Sequence, residues 1–437
     1  MSESKPLGFW RTWSMSVGTM IGSGIFMMPA VLAPYGGIGL TAWIVSGVAA
    51  IIFALTFAGL ARRIQKPGGC YAYSHEALGD FGGFIAAWGY WISVWIAMAS
   101  LCVAFVSYMS FFIPVLGDNP MLGAGSGLIM LWVLIGLNLT GMKGAGTFQL
   151  ITTILKLAPL VIVSLIGLVI INPISNFQPF NPSGESMVTA LGAASILTVW
   201  AFMGLEAATI PAEDVVDPTN TIPKALIFGT ISVGIVYFAS TYAVFGIVPR
   251  DELLTSASPF ADAAVILVGQ WGGIALGIGA IISIVGSLNS NIICGAYTSM
   301  AAARDNLMPK NLSKMNKNNV PQYSIILVGV LGSVTMLFNF SKGLVGAYVF
   351  MLLVSTLSTL LAYALSSISA LIIEIRDPKM AGNEKSRHLA IAFLAFLFSV
   401  GMIAAAGPEP VYWGFLLILA GLPVYVLASR NKRKSDS

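Results

Sequence analysis

Charge is what this sequence has least of. Asp, Glu, Lys and Arg make up 9% of its 437 residues, against roughly a quarter of an ordinary soluble domain. That scarcity excludes a water-soluble globular chain, and 57% hydrophobic residues mark a polytopic membrane protein. Histidine is nearly missing, with two, and cysteine is limited to Cys70, Cys102 and Cys294. An odd set without CxxC spacing offers neither a disulfide framework nor a metal site. HExxH, GxSxG and paired Asp residues in an apolar segment are all lacking, so no enzyme, no catalytic residue and no cofactor are expected. Long polar stretches are missing as well. The longest connections, 304–321 and 376–388, are short and basic and leave no room for a soluble domain.

A bilayer crossing takes about 20 residues. Turn and charge clusters divide the chain into twelve apolar segments, near 10–34, 38–61, 82–114, 123–141, 147–172, 187–212, 225–248, 263–300, 322–339, 343–373, 389–406 and 411–429. With that even number, only Arg250 and Lys342 fall on one side of the membrane, and Lys156 falls inside a crossing. The rest of the 22 Lys and Arg residues lie on the side of both termini. The positive-inside rule makes that side cytoplasmic, in a plasma or inner membrane. The net charge of +4 thus reflects topology, and a nucleic-acid partner is not expected. Trp10 and Arg11 lead into a long apolar segment without a small-residue cleavage site, so the first segment is expected to be retained as a helix.

Residues 1–180 and 181–375 each hold five segments, and 376–437 hold two more with a basic cytoplasmic tail. Five is odd, so the second unit enters the membrane from the opposite side. The two units are then inverted repeats about an axis in the membrane plane. The expected fold is all-α with twelve transmembrane helices in a five-plus-five inverted repeat, helices 1 and 6 being discontinuous.

Those discontinuities are legible as Gly22-Ser23-Gly24 in the first segment and Met203-Gly204-Leu205-Glu206 in the sixth. In lipid, unwound backbone is tolerated only where it is buried in protein or lines a cavity, and paired breaks at corresponding positions are how secondary transporters build a midplane site. A half-helix starting near Ser23 aims free N–H groups and a positive dipole end at the bilayer centre, which suits a carboxylate. Ser16, Gly18, Thr19 and Gly22 equally fit a small-residue packing seam. Glu206 is a carboxylate at membrane depth, expensive and therefore a functional candidate that takes up and releases a proton. The alternative is a permanently protonated group hydrogen-bonding the break. Lys156 is the one basic residue deep in an apolar segment. It either snorkels to the nearer membrane face or ties the fifth helix to unwound carbonyls of the first, replacing a bound cation. Trp88, Tyr90, Trp91 and Trp95, and Trp200 with Phe202, are placed to close over a solute, although membrane tryptophans commonly serve as interfacial anchors.

The stretches GTMIGSGIFMMPAVLA, KPGGCYAYSHEALGDFGGFIAAWGYW and VWAFMGLEAATIPAEDVVDPTNTIPKAL resemble the amino acid/polyamine/organocation transporter family. The third is especially like its basic amino-acid and polyamine antiporter branch. The resemblance implies a midplane site between the first and sixth helices and alternating access. By motif, Ser23 and Gly24 would bind a substrate carboxylate through backbone N–H groups, with Gly22 in the same break. Met20, Trp200 and Met203 would offer carbonyls to the ammonium, and Trp200 would help occlude the site, with Phe202 beside it. Glu206 matches a sixth-helix glutamate used for pH response or ligand coupling. Lys156 is similar to the fifth-helix lysine of sodium-independent members.

Two positions depart from that pattern. Where arginine-type exchangers carry GGW after the eighth-helix GSL, this chain has Asn289-Ser290-Asn291, so Asn291 replaces an aromatic wall. Met98 stands where a polar contact to a cationic side chain is expected. Both point to a smaller or less basic amino acid than arginine. The expected function is sodium-independent amino-acid transport, by exchange or proton symport, with a polyamine antiporter as the alternative. The expected partners are an amino acid or amine, protons and the lipid bilayer, and a homodimer is an open assembly.

Overall fold

The computed structural model describes residues 7–66, 68–141, 145–170, 177–210, 212, 215–339, 344–378 and 381–435. Of the basic residues that set the expected orientation, Lys5, Lys143, Lys342 and Lys379 lie outside them. An isolated bridge between Leu7 and Val215 is the sole extended pairing among the described residues. Everything else that is regular is helical, as a hydrocarbon solvent demands of a backbone with no water to bond.

The helices are α1 (Phe9–Met20), α2 (Ser23–Leu32), α3 (Gly37–Arg63), α4 (Cys70–Ser110), α5 (Pro120–Leu139), α6 (Ala145–Ile170), α7 (Met187–Ala201), α8 (Pro218–Ile247), α9 (Pro259–Val268), α10 (Gln270–Arg304), α11 (Gln322–Asn339), α12 (Leu344–Arg376), α13 (Gly382–Ala405), α14 (Pro408–Leu419) and α15 (Gly421–Ser435), with short turns between them. Among the described residues ten spans are long and apolar enough to cross a bilayer. The fifth and ninth apolar segments form the shorter apolar helices Thr153–Val169 and Gln322–Phe338. The chain is a multi-pass membrane protein.

Besides the seventh and eleventh, which start seven residues early at Pro218 and Gly382, three segments differ in shape from their sequence-based bounds. The third begins twelve residues early in number, at Cys70 rather than near 82, and bends at Gly79, whose φ of 74° interrupts the helix. The eighth is divided at Gly269, which ends α9 and starts α10. The twelfth is divided between α14 and α15. Gly269 and Gly421 divide continuous apolar runs, which hydropathy alone does not register, whereas the early start at Cys70 carries the third helix through His75, Glu76 and Asp80, which hydropathy leaves out.

Burial is graded and locates the centre. In the most apolar windows of Phe9–Tyr35 and Cys70–Ser110, 88% and 94% of residues are buried, against 22% and 17% for Gly382–Ala405 and Pro408–Ala428. The first and third spans are therefore wrapped by protein, and the last two lie at the outside of the chain. Around α1 and α2 stand α4, α6, α8, α10 and α12, with α4 lying along both α10 and α12.

Candidate functional site

Helix α1 stops at Met20, and its last carbonyls need partners that the missing next turn cannot give. The Ile21 N–H still closes on Val17 O at 2.9 Å. Beyond that, side chains from three other helices take over. Lys156 Nζ on α6 donates to Gly18 O at 2.9 Å, the Tyr237 hydroxyl on α8 donates to Met20 O at 2.7 Å, and Ser287 Oγ on α10 donates to Ile21 O at 2.8 Å. Lys156 Nζ also donates to Ser287 Oγ at 3.1 Å, so ammonium, hydroxyl and carbonyl form one relay. Lys156 is fully buried and does not snorkel. Gly22 lies so close to Ser287 that a Cβ would stand 2.7 Å from Oγ, and at Gly286 one would stand 3.0 Å from Lys156 Nζ. Helix α2 then starts at Ser23 with no side chain capping its first turn. The side chain of Ser23 lies outside the described atoms.

The second break follows Ala201. Phe202 and Met203 close onto Val199 O and Trp200 O at 3.0 Å, and Gly204 turns left-handed at φ 96° before a tight turn over Leu205–Thr209. Only glycine enters that region without a Cβ penalty. The two breaks abut. A Cβ on Gly204 would stand 2.6 Å from Thr19 Cγ2, and one on Gly24 3.1 Å from Ala201 Cα. Ser16 Oγ donates to Leu205 O at 3.0 Å, and Tyr237, already on Met20 O, lies 3.1 Å from Ala201 O. One phenol thus serves the carbonyl ends of both broken helices.

Glu206 is 1% exposed. Its carboxylate accepts a hydrogen bond from the Tyr363 hydroxyl on α12, and the Tyr90 hydroxyl on α4 faces the same group. Cys70 and Cys294 are its neighbours. Thr209 Oγ1 donates to Glu206 O at 2.7 Å. The stretch before Gly79 closes beneath it: Gly68 N–H reaches Ile210 O at 3.4 Å, and Tyr71 donates to Asp305 at the end of α10.

The remaining expected positions spread around this centre. Trp200 is half-buried, and its indole N–H has no partner among the described residues. Met203 is half-buried. Phe202 turns into an aromatic triangle, 6.0 Å from Trp43 and 5.5 Å from Tyr237. Met98 is fully buried beside Gly332 of α11. Asn291 is half-buried and donates to Ser287 O at 2.9 Å. Sequence reasoning missed Ser287, Tyr237, Tyr363 and Ser283, whose hydroxyl also points at Ile21 O, at 3.4 Å. The serines had a signal, a spacing of four in an otherwise apolar helix that puts both hydroxyls on one face, whereas single tyrosines in apolar runs had none.

The family model described as amino acid permease matches residues 7–428. Among curated proteins, the arginine/ornithine antiporter of Pseudomonas aeruginosa is 30% identical across 98% of this chain and 92% of its own length. The putrescine transporter PotE of Haemophilus influenzae is 27% identical across 98% of both chains. The cadaverine/lysine antiporter of Escherichia coli is 30% identical across 76% of this chain and 74% of its own.

Proposed function

The chain belongs to the amino acid permease family, and we propose that it is a sodium-independent amino-acid transporter working by alternating access, as an exchanger or with protons. In this reading the chain crosses a plasma or inner membrane twelve times with both termini cytoplasmic. Residues 1–180 and 181–375 form inverted repeats, and 376–437 carry two added helices. The uncapped start of α2 at Ser23 and Gly24 receives the substrate carboxylate. Carbonyls at Met20, Trp200 and Met203 face its ammonium, Trp200 closes over it with Phe202 behind, and Asn291 and Met98 set the side-chain pocket.

One observation carries the reading: two abutting helix breaks at membrane depth, with a buried carboxylate in the second and a buried ammonium on the first. The Lys156 side chain places a cationic nitrogen in the carbonyl-rich break, where a bound sodium ion would otherwise sit, which supports transport without sodium. Glu206 sits among phenols that donate to a carboxylate and accept from a carboxylic acid. The break is therefore held in either protonation state, and protonation biases the inward–outward equilibrium. The antiporter names of the relatives favour exchange.

A polyamine antiporter is the second reading, favoured by the putrescine and cadaverine names among the relatives and by Glu206 as a partner for a substrate amine. The deciding experiment is uptake of labelled amino acids and diamines into proteoliposomes, empty or preloaded, without sodium and with or without a pH gradient. Saturable α-amino-acid uptake that needs an internal solute or an inward proton gradient, with its pH dependence lost in Glu206→Gln, is the expected result. Uptake of diamines alone selects the second reading, and uptake that requires sodium defeats both.

A further inference from the structure

Away from the two breaks, a groove of about 600 Å³ opens on the outer flank of the bundle between Trp43, Gly47 and Ile51 of α3, Leu168 of α6, and Gly234 and Phe238 of α8. We infer that this groove binds a single acyl chain of a membrane lipid, and that its occupant bears on the packing of both helix breaks. The inference rests on the membrane embedding of the chain and does not depend on which solute is carried.

The occupant follows from the walls and the setting. No charged side chain lines the groove. Its rim residues Ile44, Val48 and Ile235 are exposed, on helices that cross the bilayer, so the groove is continuous with the lipid-facing surface. At that depth the available solvent is hydrocarbon. The recess has a cause in the sequence, because the helix surface is lowered at glycines where its neighbours carry branched side chains. A Cβ on Gly47 would meet nothing within 4 Å, and one on Gly234 would only touch Phe202 at 3.6 Å.

Its length fits one leaflet. The lining on α8 runs from Thr230 to Tyr242, or about 18 Å at ~1.5 Å per residue, close to half of the ~30 Å hydrocarbon core. The groove lies toward the membrane face where α8 ends and α3 begins, the face marked by the 3.0 Å bond from Arg250 Nε to Ala33 O. A chain hanging from that leaflet would run its length.

The floor connects it to the centre. Trp43 lies 5.1 Å from Tyr237 and 6.0 Å from Phe202, ring to ring. Tyr237 is the residue whose hydroxyl holds Met20 O and lies next to Ala201 O. A filled groove supports Trp43, and through it the phenol that joins the broken helices. Trp43 is otherwise enclosed by protein at 3% exposure, so an empty groove deprives only its lining edge of partner atoms, the loss that any void imposes on its lining.

The test gives the purified full chain in detergent a phosphatidylcholine with a diazirine midway along one acyl chain. After irradiation and digestion, labelled peptides are mapped by mass spectrometry, with unlabelled phospholipid as competitor. Saturable labelling of the α3 and α8 groove segments is expected, displaced by competitor and lost in Gly47→Leu, while labelling of exposed faces such as α13 persists. Ile235→Trp closes the groove from its rim and serves if Gly47→Leu does not fold. Added phospholipid should raise the melting temperature of the wild type and fail to raise that of either variant. Labelling of the groove that neither saturates nor changes in the variants overturns the site. An equal thermal shift in wild type and variants overturns its connection to the breaks.

Discussion

The break after Met20 and the break after Ala201 solve the same problem with opposite materials. The first has no charged residue of its own, exposes carbonyls, and is held by an imported ammonium relayed through a serine. The second carries its own carboxylate and is held by imported phenols. At the first break Lys156 donates to a carbonyl and a hydroxyl. A phenol donates or accepts, so the second keeps its partner whether the carboxyl is charged or neutral. On the proposed transporter reading, that contrast makes Lys156 part of the framework and Glu206 the group that switches.

Backbone geometry separates the breaks most sharply. Gly204→Ala puts a methyl 2.6 Å from Thr19 Cγ2 in a left-handed conformation, whereas Gly22→Ala meets Ser287 at 2.7 Å without a positive φ. Overpacking costs about 1–3 kcal/mol in either, and the left-handed Cβ adds roughly 1–2 kcal/mol at 204 alone. Gly204→Ala should therefore be the less stable of the two by that margin in SDS-titrated unfolding from mixed micelles. Equal losses would break the distinction.

Next comes the ammonium. Lys156→Ala leaves Gly18 O and Ser287 Oγ without their charged donor, and a hydrogen bond to a charged group contributes about 1.5–3 kcal/mol. If that stabilises the transport cycle, initial exchange rates at matched protein incorporation fall by about ten- to hundredfold. An unchanged rate would remove Lys156 from the framework.

Tyr363→Phe tests the switching side and should do least. It removes one of two phenols from Glu206, a bond of about 1 kcal/mol to the neutral acid and about 1.5–3 kcal/mol to the carboxylate, with Tyr90 still facing the carboxyl to offset the loss. Stability should change little, while the pH at half-maximal exchange moves. A pH profile that coincides with the wild type would make Tyr363 a packing residue only.

Much of this was legible in the chain itself. The segments were read from hydropathy and charge, and the helix after the first break starts at Ser23 as the glycines implied. Glu206 was marked by cost, since few carboxylates sit in apolar sequence. The sequence leaves Lys156 divided between snorkelling and a tie to the first helix, because a position nine residues from the start of its segment at 147 permits both. The fully buried Nζ on Gly18 O decides it. In sequence Gly22 fits both a substrate-binding break and a packing seam, and in the structure Gly22 and Gly24 each face a protein neighbour, Ser287 and Ala201. Close helix approach and ligand access ask for the same residue, and composition does not separate them.

The sequence by itself determined the solvent, the helices and the two places where helices stop. Each of these depends on a run of neighbouring residues, through transfer of apolar surface or the conformational freedom of glycine. Only the tertiary structure decided who completes the breaks. Lys156 reaches Gly18 across 138 residues, Tyr363 reaches Glu206 across 157, Tyr237 reaches Met20 across 217 and Ser287 reaches Ile21 across 266. A hydrogen bond needs its two atoms within about 3 Å, and over such separations that distance is set by how the helices pack.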